Sequence, residues 1–176
     1  MLYNDSNFHG YDLLKDLLSQ DSNFSKLVKE NLENGKIRFF DEREWDKIRN
    51  QNFHTPDNAI RNFYDLFALG YNIGSCVFTS RTLSYSYNDV DIVTGILPVL
   101  KGTKNAEEEG GHGWLERNGE IIDTSLLLVI DKTLKDTLGY TEEFRLTQFD
   151  LNRDPRYQSR KEYVNDPSLR PKKSNK

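Results

Sequence analysis

The first part of the chain carries apolar residues at helical spacing. In residues 11–34 they recur at intervals of three or four positions, with an interruption at residues 20–22. This pattern predicts two short amphipathic helices, the second of which ends at Gly35, because glycine readily terminates a helix. Residues 36–40, with the sequence "KIRFF", are then either a short strand or a connector.

Two further helices are predicted before the middle of the chain. One spans residues 55–70, with a threonine as N-cap, a proline in its first turn and apolar residues along one face. The other follows Gly74 and Ser75, which predict a turn and an N-cap, and runs for about three turns. Cys76 then stands at the N-terminus of this last helix.

The second half of the chain has the pattern of β-strands. Residues 90–100 are rich in β-branched and aliphatic side chains and predict a buried strand, with Pro98 near its end. The polar, glycine-ended residues 101–111 predict a surface loop. Residues 125–130 either extend a hairpin strand or start another element, and residues 143–149 alternate as a strand does. Helices followed by antiparallel strands indicate an α+β fold, in which the cysteine-bearing helix packs on a small antiparallel sheet.

A β-hairpin is predicted in the stretch "GGHGWLERNGEIIDTS". Its Asn118-Gly119 dipeptide supplies the two positive-φ residues of a type I′ turn, and counting outward from the turn fixes the register. His112 and Asp123 then become diagonal neighbours about 7–8 Å apart at the backbone, which their side chains can close to a hydrogen bond. Opposed residues and residues two apart share a face, so one face of the hairpin carries four polar or aromatic groups. They are His112, Trp114, Asp123 and Ser125.

The composition limits the class of protein. With 176 residues, 36% of them hydrophobic, the chain is long enough for one domain, placed at residues 1–165 with core motifs at 70–130 and a flexible basic tail at 166–176. A net charge of −4 disfavours non-specific binding of nucleic acid. No apolar run approaches the roughly 20 residues that span a bilayer, and the N-terminus lacks the regions of a signal peptide. We therefore expect no membrane partner and a cytoplasmic location.

The cysteine and histidine content bears on metals and cofactors. A single cysteine cannot form an internal disulfide, and the histidines at positions 9, 54 and 112 show no zinc-ligand spacing. We therefore expect no metal and no cofactor. His9 and His54 are predicted to be surface or capping residues.

Cys76, His112 and Asp123 together suggest catalytic chemistry. A helix N-terminus favours the thiolate form of a cysteine, because its unpaired N–H groups point at the sulfur. A nearby imidazole can take the thiol proton, and a carboxylate behind the imidazole fixes its tautomer. Each residue alone also has a structural interpretation, as a core cysteine, a hydrogen-bonded sheet histidine and an aspartate that bonds a turn. The agreement of hairpin register, helix start and chain order favours the catalytic interpretation.

Residues 70–130 resemble the transglutaminase-like branch of the papain-like cysteine enzymes, through a cysteine at a helix start, "HGW" on one strand and "IIDTS" on the next. Gly113 stands where that family usually has alanine. Lasso-peptide leader peptidases and arylamine acetyltransferases share the Cys, His, Asp order. The resemblance implies a papain-like fold and acyl transfer through a thioester at Cys76, with His112 as the base and Asp123 as its orienting group.

The sequence leaves the substrate and the second reactant open. Hydrolysis of a peptide or amide, deamidation of glutamine and transfer to an amine differ in what resolves the acyl-enzyme, so the expected partner is a protein, peptide or small amide substrate. Acetyl transfer from coenzyme A is another possibility. The alternative from a different class is a non-catalytic interaction or effector protein that keeps the fold as a scaffold. The oligomeric state is also open.

Further residues are candidates for supporting roles. Acyl transfer needs donors for the oxyanion, and the backbone N–H of Cys76 is the natural first donor. Trp114 either shields the His–Asp pair from water or is a core aromatic. Residues 107–109, three glutamates followed by two glycines, are either a solvated loop or a gate beside the site. The candidates for substrate binding or a second oxyanion donor are Tyr71, Asn72, Trp114 and Gln148.

Overall fold

The structure, a computed structural model, describes residues 7–54, 60–106, 108–166 and 168. The α-helices in this part of the chain are α1 (Asp12–Ser19), α2 (Asn23–Glu33), α3 (Glu42–Arg49), α4 (Phe63–Ala68), α5 (Cys76–Ser84), α6 (Lys135–Leu138), α7 (Gln148–Asn152) and α8 (Pro155–Asn165). The strands are β1 (Ile37–Phe39), β2 (Asn52–His54), β3 (Ile60–Asn62), β4 (Asp91–Ile96), β5 (Gly111–Arg117), β6 (Glu120–Asp123), β7 (Leu128–Asp131) and β8 (Thr141–Leu146).

Six of these strands form one antiparallel sheet in the order β1-β7-β6-β5-β4-β8, and β2 pairs with β3 separately. Helix α5 packs against β4 and β5 near the middle of the sheet. The first half of the chain is mainly helical and also supplies the edge strand β1. The predicted α+β fold, with the cysteine-bearing helix on an antiparallel sheet, is thus confirmed.

The two N-terminal helices lie where their spacing predicts them. Ser22 caps α2, since its Oγ accepts a hydrogen bond from the N–H of Ser25 at 3.0 Å. Gly35 follows the helix with a φ of 82°, a left-handed conformation that glycine adopts at little cost. The segment after it is a strand rather than a connector, because Ile37–Phe39 pairs with β7.

The helix predicted for residues 55–70 is shorter than its apolar spacing suggests. It begins at Phe63, where the side chain of Asn62 accepts a hydrogen bond from the N–H of Tyr64, and Ile60–Asn62 forms β3. The predicted threonine cap and the proline after it lie outside the described residues. The prediction of the helix start was wrong because an asparagine cap at position 62 starts the helix later, while Phe63 and Phe67 still provide its buried face.

Helix α5 starts at Cys76, as predicted, and ends at Ser84. The predicted cap by Ser75 is wrong, because the Ser75 hydroxyl donates to the carbonyl of Tyr71 and accepts no hydrogen bond from the helix. Instead, the side chains of α5 bond to the sheet: Oγ1 of Thr79 lies 2.8 Å from Oγ1 of Thr124, which follows β6. These contacts fix the helix N-terminus relative to β5 and β6.

The predicted hairpin has the predicted register, with Leu115 opposite Ile122. The segment after it is a separate strand, since β6 is followed by a tight return that brings Asp123 opposite Leu128 of β7. Leu127 in this return has a φ of 55°, the single positive φ of a non-glycine residue in the described chain. The hairpin is therefore part of a three-strand meander, and its second strand is held on both sides.

The strand predictions on either side of the hairpin need correction at their ends. β4 stops at Ile96 and a 3₁₀ turn begins at Pro98, because proline lacks the N–H that a ladder requires. The strand predicted at residues 143–149 is β8, which lies earlier, at Thr141–Leu146. Thr147 and Asp150 then form a capping box that starts α7, which the alternating pattern does not indicate.

The flexible tail predicted at residues 166–176 lies almost wholly outside the described residues. Among those residues, no helix has both the length and the apolar character needed to cross a bilayer.

Gly95, opposite His112 in the β4–β5 pair, allows β4 and β8 to approach closely. A Cβ there would lie 1.9 Å from the backbone oxygen of Thr141. We expect Gly95→Ala to lower the free energy of unfolding by about 1–3 kcal/mol, because the strands must separate. Urea denaturation measures this change. Gly111→Ala is the matched control, since no atom lies within 4 Å of its added Cβ; equal effects of the two substitutions would contradict the expectation.

Candidate active site

The His112 and Asp123 side chains form a fully buried pair, with Nε2 of His112 2.7 Å from Oδ2 of Asp123. The same oxygen accepts a hydrogen bond of 2.6 Å from the hydroxyl of Tyr140. The other carboxylate oxygen accepts the N–H groups of Ser125 and Leu126 at 3.0 Å each. Burial raises the pKa of Asp123, but the charge and hydrogen bond of His112 and the other donors outweigh it and lower the pKa. The carboxylate therefore stays ionised although it is removed from water.

The sulfur of Cys76, at the first residue of α5, meets this pair at the imidazole. Burial raises the pKa of the thiol, but its hydrogen bond and charge interaction with His112 and the N–H of Gly113 lower it overall. For His112, burial lowers the pKa, but Asp123 and Cys76 raise it overall. Both directions favour passage of the thiol proton to the imidazole, which is the activation step of a cysteine nucleophile.

A glycine allows the cysteine helix to reach the histidine strand. The Cβ that Gly113 lacks would lie 3.1 Å from Cγ2 and 3.4 Å from the backbone nitrogen of Val77 in the first turn of α5. Successive strand residues face opposite sides, so α5 packs on the side of β5 opposite to His112. The missing side chain at Gly113 thus lets the first turn of α5, which carries Cys76, lie close to β5 beside His112.

Asn105, a residue that the sequence does not single out, joins the site from residues 101–110. Its Nδ2 lies 3.2 Å from Nδ1 of His112, and its Oδ1 accepts hydrogen bonds of 2.9 Å from the N–H of Gly74 and from the hydroxyl of Ser125. This segment is therefore not simply a surface loop, because Asn105 is only 8% exposed. An asparagine among charged and small residues carries no periodic signal of burial.

Two aromatic residues, Trp114 and Tyr140, pack beside the imidazole. The sequence singles out Trp114 but not Tyr140. Trp114 is fully buried, and its ring centroid lies 5.9 Å from that of His112. Tyr140, which precedes β8, packs against Trp114 at 5.1 Å and donates its hydroxyl to Asp123. Trp114 is therefore a core aromatic beside the pair, and its indole N–H, which donates to Glu116, is not free for an oxyanion.

Trp114 is itself held by a buried carboxylate. Its indole N–H donates to Glu116 at 3.0 Å, and Glu116 also pairs with Lys135 at 2.6 Å and with Arg145 at 2.6 Å. Burial raises the pKa of Glu116, but these hydrogen bonds, led by that of Arg145, lower it to about 2. The network links β5 to α6 and β8 and keeps the indole in place beside the imidazole.

Asn72, a candidate oxyanion donor, is not available for that role. Its side-chain nitrogen donates to the backbone carbonyls of Gly10, Thr124 and Ser125, at 2.9, 3.1 and 3.3 Å. Both of its amide hydrogens are therefore used inside the protein, where they tie the segment before Cys76 to the return after β6. Asn72 holds the site together and does not face a substrate.

Of the remaining candidates, Tyr71 lies on the surface and Gln148 lines a separate cavity. Tyr71 is 59% exposed, five residues before the nucleophile candidate, and stays available to a substrate. Gln148 starts α7 and lines a cavity of about 580 Å³ with Tyr85 and Asn165. The side chains that line this cavity in the described chain include none of the three candidate catalytic residues, so the structure does not bring Gln148 to the site.

The acidic segment beside the site is only partly described. Glu108 and Glu109 are exposed and, with Glu143 and Gly111, line a small cavity of about 330 Å³. Glu107 lies outside the described residues. The gate remains a prediction.

His9 and His54 are the two histidines outside the candidate site. His9 is exposed, as expected, with its Nδ1 3.0 Å from Oδ2 of Asp12, and the side chain of His54 lies outside the described residues. In the part of the chain that the structure covers, no group of three or more His, Cys, Asp or Glu side chains is arranged to hold a metal ion.

The close approach at Gly113 can be tested by adding a side chain there. We expect Gly113→Val to lower the free energy of unfolding by about 1–3 kcal/mol and to push the first turn of α5 away from β5. The rate of alkylation of Cys76 by iodoacetamide at pH 6, measured on the folded variant, should then fall. Gly111→Val, two residues earlier on the same strand and with open space around it, should keep the original rate. An unchanged rate in Gly113→Val would show that the contact does not position the sulfur.

In comparisons with known proteins, no protein-family model, no curated protein and no solved structure matches the chain. The resemblance to transglutaminase-like enzymes thus stays a prediction from the sequence motifs around Cys76, His112 and Asp123. The geometry of these three residues is the basis for assigning a function.

Proposed function

We propose that the protein is a cysteine-dependent acyl-transfer enzyme of the transglutaminase-like type, in which Cys76 forms a thioester with the acyl group of its substrate. The observation that carries the proposal is the buried pair of His112 and Asp123, whose Nε2 and Oδ2 lie 2.7 Å apart, and whose imidazole lowers the pKa of Cys76 at the start of α5. The three groups stand in the order nucleophile, base and orienting acid, which covalent catalysis of acyl transfer requires.

The first half-reaction forms the acyl-enzyme. The thiol proton of Cys76 passes to Nδ1 of His112, and the sulfur attacks the carbonyl carbon of the substrate. The negative oxygen of the tetrahedral intermediate is stabilised by the backbone N–H of Cys76 and by the positive end of the α5 dipole. Collapse of the intermediate expels the leaving group, which takes the proton from His112.

The second half-reaction releases the acyl group. Water or an amine attacks the thioester carbonyl while His112 takes its proton, and Cys76 leaves as a thiolate that regains the proton. Water as the acceptor makes the enzyme a peptidase, amidase or deamidase, and an amine makes it a transferase. The chemistry of the site is the same in both cases.

The surface next to the nucleophile supports a peptide, protein or small amide as the substrate. Cys76 is only 8% exposed, while Val77 and Phe78, the next two residues of α5, are each 50% exposed. These side chains and Tyr71 give an approaching acyl group apolar surface to contact. A reducing cytoplasmic location, which we also propose, keeps a free thiol of this kind reduced.

Acylation of Cys76 tests the proposed function directly. We expect the mass of the protein to rise by one acyl group after incubation with one or more members of a panel of donors: peptide amides, activated esters and acetyl-coenzyme A. The label should map to Cys76, be absent from Cys76→Ala and accumulate more slowly in His112→Ala. Intact-protein and peptide mass spectrometry measure each point. No added mass with any donor, or equal labelling of Cys76→Ala, would contradict the proposal.

The pH dependence of alkylation tests the activation of the thiol. Iodoacetamide reacts with the thiolate, and His112 lowers the pKa of Cys76, so the reaction should persist to lower pH than for an ordinary cysteine. At pH 6 we expect folded protein to react at least about tenfold faster than the same chain unfolded in urea. His112→Ala should remove this advantage. Because the chain has one cysteine, the unfolded protein is its own reference; equal rates in the two states would refute the activation.

A further inference from the structure

Asn105 lies at one ring nitrogen of His112, with its Nδ2 3.2 Å from Nδ1. Nε2 is bonded to Asp123, so Nδ1 is the nitrogen left to take the thiol proton of Cys76 in the proposed function. Asn105 comes from residues 101–110, a segment that carries none of the three candidate catalytic residues. The contact of Asn105 with Nδ1 therefore bears on the transfer of the thiol proton from Cys76 to His112.

The orientation of the Asn105 amide is fixed by its partners. Its Oδ1 accepts the backbone N–H of Gly74 at 2.9 Å, and a backbone N–H can only donate. The hydroxyl of Ser125 lies 2.9 Å from the same oxygen and 3.1 Å from the carbonyl of Asn72, and its one hydrogen can go to either. Rotating the amide by half a turn would set the NH₂ group against the N–H of Gly74, so the NH₂ group is the part that faces His112. Asn105 is therefore a hydrogen-bond donor toward Nδ1.

The opposite side of the ring fixes the position of the other proton. The Asp123 carboxylate accepts hydrogen bonds from His112, from Tyr140 and from two backbone N–H groups, and an ionised carboxylate has no proton to give. Nε2 of His112 must therefore carry a hydrogen. Nδ1 then holds either a lone pair, in the neutral ring, or a second hydrogen, in the imidazolium. Only the lone pair can accept the hydrogen bond of Asn105.

We propose that Asn105 is a positioning residue that holds Nδ1 of His112 as an acceptor and thereby favours the thiol form of Cys76 in the resting enzyme. When the thiol proton moves to Nδ1, the new N–H points at the NH₂ group of Asn105, so that contact opposes the ion pair. The thiolate is therefore less populated than the interactions of His112 with Asp123 and Cys76 alone would make it. This inference rests on the proposed function, because it concerns the same Cys–His pair.

The other groups around the imidazole act in the opposite direction or are uncharged. The titratable groups that face the ring are Asp123 from β6, Cys76 from α5 and Tyr140 from the segment before β8. The ammonium of Lys135 lies beyond the indole of Trp114, 5.8 Å from its centroid. Asp123 and a Cys76 thiolate favour the imidazolium, and Tyr140 keeps its proton because burial raises its pKa. Asn105 is the contact that favours the neutral ring.

The alkylation rate of Cys76 at pH 6 tests the inference. One ordinary hydrogen bond shifts the pKa of a group by up to about one unit. Asn105→Ala should therefore raise the alkylation rate of Cys76 about three- to tenfold. Ser125→Ala is the matched control, since it removes one bond to Oδ1 and leaves the donor to His112; its rate should stay within about twofold of the wild-type rate. An unchanged or lower rate in Asn105→Ala, or the same rise in Ser125→Ala, would overturn the inference.

A second measurement uses the unaltered protein, because Asn105→Ala leaves the N–H of Gly74 without its partner. Nitrogen-15 NMR of the histidine-labelled wild type, with the signals of His112 assigned from His112→Gln, reports the protonation of each ring nitrogen. At about pH 10, above the raised pKa of the ring, we expect a hydrogen on Nε2 and none on Nδ1. A hydrogen on Nδ1 with none on Nε2 would overturn the inference.

The two proposals fail in different ways. A folded wild type that reacts no faster than the unfolded chain would refute the activated Cys76 and with it the proposed function. A wild type that does react faster, with no further gain in Asn105→Ala, would refute only the role of Asn105.

Discussion

The buried contact between His112 and Asp123 is the constraint around which the rest of the site is arranged. A carboxylate removed from water needs a donor for each of its lone pairs, since otherwise it would take up a proton or destabilise the fold. Here the donors come from β5, from the return after β6 and from Tyr140 before β8. Satisfying one charge therefore fixes three segments of the chain relative to one another, and the imidazole is oriented as a result.

The cysteine side of the site depends on close packing rather than on charge. Helix α5 reaches β5 because Gly113 has no side chain, and the hydroxyls of Thr79 and Thr124 bond across the interface between helix and sheet. Asn72 and Asn105 then connect the segment before the helix to the strands. The sulfur and the imidazole are thus held by two sets of contacts, which Asn105 links through Gly74 and His112. An arrangement of this kind pre-positions the reacting groups and lowers the entropic cost of catalysis.

Elements with a local cause were predictable from the sequence, and their ends were less so. The hairpin register follows from Asn118-Gly119, and the start of α5 follows from the turn before Cys76. The helix at residues 55–70 was predicted too long, because apolar spacing does not reveal that the cap at Asn62 is the one used. Similarly, the alternation at residues 143–149 continued past the capping box that ends the strand region. In each case a capping hydrogen bond between a side chain and a backbone N–H two or three residues later set the boundary.

By itself the sequence determined that His112 and Asp123 share a face and lie within reach of each other, because strand geometry and the turn leave no other register. It also placed the lone cysteine at a helix N-terminus. Only the tertiary structure decided that Asn105 and Tyr140 complete the pair, that Gly113 is the point of contact with α5, and that Asn72 and Gln148 do not serve as donors to a substrate. The physical reason is that these contacts join residues from separate segments without a periodic pattern. Their partners become visible only once the chain is folded.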